Sequence, residues 1–196
     1  MTSDASIDVT GDAADVMTRG DFAGAFSADN VTTRLMVMGE LENGGSLEVT
    51  RDAGMIRVLG GSDSDASIAI GGEARMLDVL SDHRGVAQIG HSIQARVLFD
   101  DVTGGELYIG GGGDSLTVRG DAVNSLFVYG VSLGDDAVFN TADDLIYGGS
   151  LRVARFSGDF EDSVLSVGLL PAASAGSGWQ ADHRNLLRTE APDGSS

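Results

Sequence analysis

The chain contains no cysteine and no lysine. Without thiols there is no cysteine nucleophile, zinc knuckle, iron–sulfur ligation or disulfide framework. Without lysine there is no P-loop lysine, Schiff base, Ser–Lys dyad or kinase-type ATP contact. Proline occurs twice and tryptophan once, and aromatic residues make up 6 %. No segment approaches the roughly 18 apolar residues that a membrane-spanning helix needs, so membrane insertion is not expected. The basic residues are 12 arginines against 30 acids, a formal charge of −18. A phosphate backbone calls for a dense basic face, so nucleic acid is not an expected partner.

What is present is equally one-sided. Glycine reaches 29 of 196 residues and aspartate 23, with apolar residues at 42 %. Glycine and aspartate without proline, mixed with valine, isoleucine and leucine, imply many tight turns between short strands. The apolar share is too high for a disordered acidic tail, and the length suits one domain.

Internal similarity carries the fold. Ser46-Leu47-Glu48-Val49, Ser67-Ile68-Ala69-Ile70, Ser115-Leu116-Thr117-Val118 and Ser150-Leu151-Arg152-Val153 share the pattern small–apolar–x–apolar, and Ser6-Ile7-Asp8-Val9 opens the chain the same way. Second alternating runs follow, among them Ile56-Arg57-Val58, Leu77-Asp78-Val79, Val97-Leu98-Phe99, Leu126-Phe127-Val128 and Val164-Leu165-Ser166-Val167. Val58, Val79 and Phe99 are spaced by 21 and then 20 residues. A period of about 20 with two short strands per unit predicts an all-β fold, a β-solenoid of the parallel β-helix type. A β-sandwich is the alternative, since it too is built from short alternating strands.

The solenoid is expected over residues 1–170, with 1–45 as a cap or first coils and 171–196 as a flexible linker or tail. Inward positions would be Leu47, Val49, Ile68, Ile70, Ile89, Leu107, Ile109, Leu116, Val118, Leu151 and Val153, with Glu48, Arg57, Asp78, Thr117 and Arg152 outward. Residues 181–188 are the one stretch with a helical look, and Trp179 is placed to dock back or to lead into a following domain.

The strongest candidate site is the run Gly134–Asp144. Asp135, Asp136, Asp143, Asp144 and the amide oxygen of Asn140 lie within ten residues, a set of oxygen ligands suited to Ca2+. Carboxylates so close repel one another unless solvated or neutralised by a cation. The run resembles the G-x-D-G-x-F-G-T-x-D-D loop of large secreted bacterial repeat proteins, planctomycete-type ones in particular. In those proteins the loop sits between units of the form G-S-L-x-V-x-G and N-S-x-x-V-x-G. Here the flanks are Ser115–Gly120 and Asn124–Gly130 before it and Gly149–Val153 after it, while Ala137 and Asn140 stand at two family glycines. The resemblance covers about residues 105–170 and implies a secreted repeat module.

A second element, Ile109–Thr117, resembles one G-G-x-G-x-D-x-U-x calcium nonapeptide, with Gly60–Asp65 a weaker relative; both also read as glycine turns at coil corners. For catalysis, Arg96, Asp100 and Asp101 share one unit, with His91 close by and His83 one unit earlier. Such a cluster would suit a polysaccharide-active β-helix, a lyase or hydrolase.

The sequence therefore leads to a non-catalytic, extracellular or cell-surface repeat module with a structural or adhesive role, stabilised by calcium. Its expected partners are neighbouring domains of a longer chain, other cell-surface components, or carbohydrate. Residues 1–6 have neither a basic start nor an apolar run, so a secreted origin implies a trimmed or longer precursor.

Overall fold

The computed structural model describes residues 6–42, 44–133, 144–168 and 187–188, the last two as backbone only. The fold is an all-β parallel solenoid of about six turns, and the described residues contain no helix. Each coil contributes to two long faces and one short one.

Face A stacks the first half of β1 (Ser6–Thr18) on the first half of β2 (Ala25–Val37). The ladder continues through β3 (Ser46–Val49), β5 (Ser67–Ile70), β7 (Val86–Ile89), β9 (Glu106–Ile109), β12 (Leu126–Tyr129) and β17 (Val164–Val167). Face B runs from the second halves of β1 and β2 through β4 (Ala53–Val58), β6 (Ala74–His83), β8 (Ile93–Thr103) and β10 (Gly113–Val118) to β15 (Leu151–Phe156). The short face C is a column of parallel bridges through Phe22, Leu41, Ser62 and His83, continued by Val102, by β11 (Ala122–Val123) and by β16 (Phe160–Glu161). All three ladders are parallel, so the sandwich alternative does not apply.

β1 and β2 pair in parallel at the start of the stack. The 21- and 20-residue spacing at Val58, Val79 and Phe99 is one ladder step each. Four assignments change. Ser115–Val118 and Leu151–Val153 lie on face B, while Leu126–Tyr129 and Val164–Val167 belong to face A. Both faces carry the same apolar–x–apolar pattern, so the pattern does not say which is which. Val153 pairs with Ser115 on the outer side, and Ala154 takes the inward place beside Leu116. Face B carries two residues between its first inward position and the next, which breaks period two.

Inward side chains repeat in columns, the short-range counterpart of one continuous core. Phe26, Leu47, Ile68, Ala87, Leu107 and Phe127 form one, each no more than 2 % exposed. At the A/B corner the backbones of successive coils approach so closely that a Cβ on Gly90 would strike the Gly71 carbonyl oxygen, and one on Gly110 that of Gly90. Gly110–Gly112 lie at this corner, and Gly113 opens β10. Of the expected tail, only β18 (Leu187–Arg188) is described; it pairs antiparallel with β17, as strand and not as helix. Trp179 lies outside the described residues.

Candidate functional site

The acidic run is an insertion. Ladder steps on face A are 19–21 residues until Leu126, whose partner on the next coil is Val164, 38 residues on. The insertion leaves at Gly130 (φ +90°) and returns at Gly149, whose backbone nitrogen a Cβ on Gly130 would strike. Two antiparallel pairs, β13 (Val131–Ser132) with β14 (Leu145–Ile146), form its root, and the Tyr147 amide donates to the Gly130 carbonyl at 2.8 Å. Asp135, Asp136, Asn140 and Asp143 lie outside the described residues; Asp144 is half-buried where the insertion re-enters.

The root packs on the outer side of face A. Val131 and Leu133 join Tyr108, Leu126, Val128 and Val164 in a second apolar cluster, separate from the main core. Tyr108 donates to Glu106 Oε2 at 2.7 Å, and burial, then Glu106, then Asp144, push its hydroxyl far above the usual range. A shallow groove of about 270 Å³ lies beside the root, where Ser132 faces Glu48, Thr50 and Gln88; its lining holds no aromatic ring.

The second candidate cluster is not assembled. Arg96 is drawn to Asp78 on the outer side of face B, with its Nε 2.9 Å from Oδ1 and Nη2 2.8 Å from Oδ2. Arg57 binds the same carboxylate from the coil before, at 2.6 Å from Nη2. Asp78 points outward as expected, yet it is fully buried beneath these guanidinium groups. Burial pushes its carboxyl up, but hydrogen bonds from Arg96 and Arg57 outweigh that and hold it below the ordinary value. Asp100 pairs with Arg119 at 3.2 Å, and Asp101 Oδ1 accepts the Asp121 amide at 2.9 Å. Asp121 in turn accepts the Asp159 amide at 2.8 Å, so these corner aspartates form a ladder from coil to coil. His91 is exposed at the A/B corner, remote in the coil from Asp100 and Asp101 at the B/C corner. Asp114 of the nonapeptide-like element is ion-paired with Arg152, through Nε and at 2.8 Å through Nη2.

His83 is inside the stack, 1 % exposed, its ring lying flat on Phe99 at 4.8 Å. Its Nε2 faces the Glu106 carbonyl at 3.4 Å, which can only accept, so Nδ1 is left to accept the Ser62 hydroxyl at 2.6 Å. Burial is the main cause that pushes this imidazole down to about 4, against opposing contributions from Glu106 and Asp82. Because the folded value lies below the unfolded 6.5, the unfolded chain takes up the proton first as pH falls. The stability tied to His83 is full above pH 6.5 and drains away between 6.5 and 4, on the order of 3 kcal/mol. The Ser62→Ala, His83→Phe double variant should therefore show a shallower dependence of unfolding free energy on pH across that window, by about one proton. Urea melts at half-unit pH intervals measure it, and equal slopes would refute the assignment.

Neither the Asp78 pair of arginines nor the Ser62–His83 contact was legible as a site, although a signal exists. Arg57, Asp78 and Arg96 are 21 and 18 residues apart, and Ser62 and His83 are 21 apart, each close to one coil. No protein-family model matches this chain, and no curated protein or solved structure does either.

Proposed function

We propose that the chain is a non-catalytic structural or adhesive repeat module of an extracellular surface. It acts as a stiff spacer, with calcium as the ion gathered by the acidic run at 134–144. The observation that carries this reading is the engagement of the polar side chains from coil to coil. Arg57, Asp78 and Arg96 bind across three coils, Asp100 and Arg119 across two, and Asp101 and Asp121 along a corner. Groups that a polysaccharide-active enzyme would aim into a cleft are here used to join coils. The loop's acidic composition supports the calcium assignment, and neighbouring domains, surface components or carbohydrate are the partners that such a module would contact.

Calcium that binds the folded loop and not the unfolded chain stabilises by mass action, by about 2.7 kcal/mol at a hundredfold its dissociation constant. For a chain of this size that is a rise of roughly 5–10 °C in melting temperature. Thermal unfolding in EDTA and then in calcium, with magnesium as control, should show it, and the Asp143→Ala, Asp144→Ala variant should lose it. No shift at millimolar calcium overturns the ion. Incubation with neutral and acidic polysaccharides should release no new chain ends; release that disappears in Arg96→Gln or Asp101→Asn overturns the non-catalytic reading in favour of a lyase or hydrolase.

A further inference from the structure

The chain has six methionines and no cysteine, so methionine supplies all of its sulfur, and none follows residue 76. Met1 lies outside the described residues. The other five all fall on the outer side of face B, within four successive coils. The ladder registers fix their places. Met17 and Met36 are direct partners, as are Met55 and Met76. Met38 lies two residues beyond Met36 on the same side, and its amide donates to the Thr18 carbonyl at 3.1 Å, which keeps it in the stack. Met36 pairs with Arg57 and Met55 pairs with Arg34, so Met55 is diagonal to Met36 on the next coil.

Direct partners in a ladder are about 4.8 Å apart, and diagonal places within about 8 Å, in reach of long side chains. Met36 therefore has three thioether neighbours: Met17 on the coil before, Met38 on its own strand and Met55 on the coil after. Met17 and Met38 are 44 % and 46 % exposed, while Met36 and Met55 are half-buried over the buried Leu35, Val37 and Ile56. An ion can reach this group from solvent. Apolar cover alone does not call for sulfur, since Leu59, Leu80 and Leu98 line the same outer side on later coils.

The charges nearby leave the group clear. Arg34, in the column of Met55, is drawn back to Asp15 on the first coil at 2.7 and 3.0 Å. Arg57, in the column of Met36, is drawn forward to Asp78 at 2.6 Å. Each guanidinium leans away from the methionines and is matched by a carboxylate. Arg19, beside Met17 and Met38, is exposed, where salt screens its charge. The net charge of −18 favours a cation over an anion. Thioether sulfur is neutral, polarizable and soft, and selects Cu(I) over oxygen-seeking ions.

We infer that Met17, Met36, Met38 and Met55 form a site on outer face B for one soft monovalent cation of the Cu(I) class. The site is separate from the acidic run at 134–144 and does not depend on calcium.

Silver(I), which shares the charge and softness of Cu(I), is the probe, as silver nitrate in chloride-free buffer. In the unaltered chain, with carbon-13 in the methionine methyl groups, silver should shift the signals of Met17, Met36, Met38 and Met55 together. The shift should be complete at one equivalent, with Met76 moved little. Millimolar calcium, which takes oxygen ligands, should leave all of them in place. Met36→Leu conserves volume and apolar character, so the melting temperature should hold. By calorimetry it should still weaken silver binding at least roughly tenfold, the loss that even outer partners of a metal site produce. Met76→Leu should not weaken it. Methyl signals that stay in place, signals that move one by one in order of exposure, or an affinity indifferent to Met36→Leu would each overturn the inference.

Discussion

Replacing Arg57 and Arg96 together by methionine should destabilise the protein by about 3–5 kcal/mol, because it strands a buried, ionised Asp78. That carboxylate is fully buried, while the arginine side chains above it are 28 % and 41 % exposed. The penalty therefore falls on the acid and not on the guanidinium groups. Adding Asp78→Leu to the same variant should restore most of the loss, since an apolar triplet of similar volume leaves no charge to desolvate. The pH dependence separates the two explanations. In the unaltered chain the Asp78 carboxyl is held below the ordinary value, so its contribution is present above that value and is lost as pH falls below it. In the double methionine variant burial acts alone and raises the carboxyl, so acidification from neutral pH neutralises it and narrows the gap to the parent. Urea melts at pH 7 and pH 4 on the three proteins test this, and a gap that stays constant would exclude Asp78 as the cause.

Phe127→Ala should cost about 3–5 kcal/mol, the range for emptying a fully buried aromatic site. Phe127 is 0 % exposed and touches three rings, Phe99 at 6.4 Å, Phe156 at 5.6 Å edge-on and Phe160 at 6.5 Å. Phe156 and Phe160 belong to the coil that follows the insertion, so Phe127 joins that coil to the body. In a stack where each coil contacts only its neighbours, the loss should appear first as separation of the last coil. Hydrogen exchange should then lose protection in β15 and β17 before β4 and β6, and Phe127→Leu should show the same order with a smaller effect. Uniform loss across all coils would mean that the stack unfolds as one unit.

Much of the coil was legible because its physical demands repeat locally. Ser46–Val49 and Ser67–Ile70 show period two within a strand, and Val58, Val79 and Phe99 show the ladder step, so strand type and coil length follow from spacing alone. The insertion was legible as well, since a 38-residue step interrupts steps of 19–21. His83 was not. A histidine between Asp82 and Arg84 has a polar neighbourhood in sequence, and only the neighbouring coils show Ser62 beneath its Nδ1 and Phe99 flat against its ring. The cluster expected around Arg96 failed for a related reason. Residues close in sequence were grouped, whereas a coil turns two corners within 20 residues and sends Arg96, His91 and Asp101 to different places.

By itself the sequence determined repeated short strands at a period of about 20, turned by glycine and aspartate and free of thiol or lysine chemistry, because strand periodicity, repeat length and composition are local or additive properties. Only the tertiary structure decided that the strands stack as a parallel solenoid and not a sandwich, which strand lies on which face, and that Asp78 is buried under Arg57 and Arg96. Those outcomes depend on the register between coils. Two faces with the same apolar–x–apolar pattern differ only in the neighbours that stacking supplies.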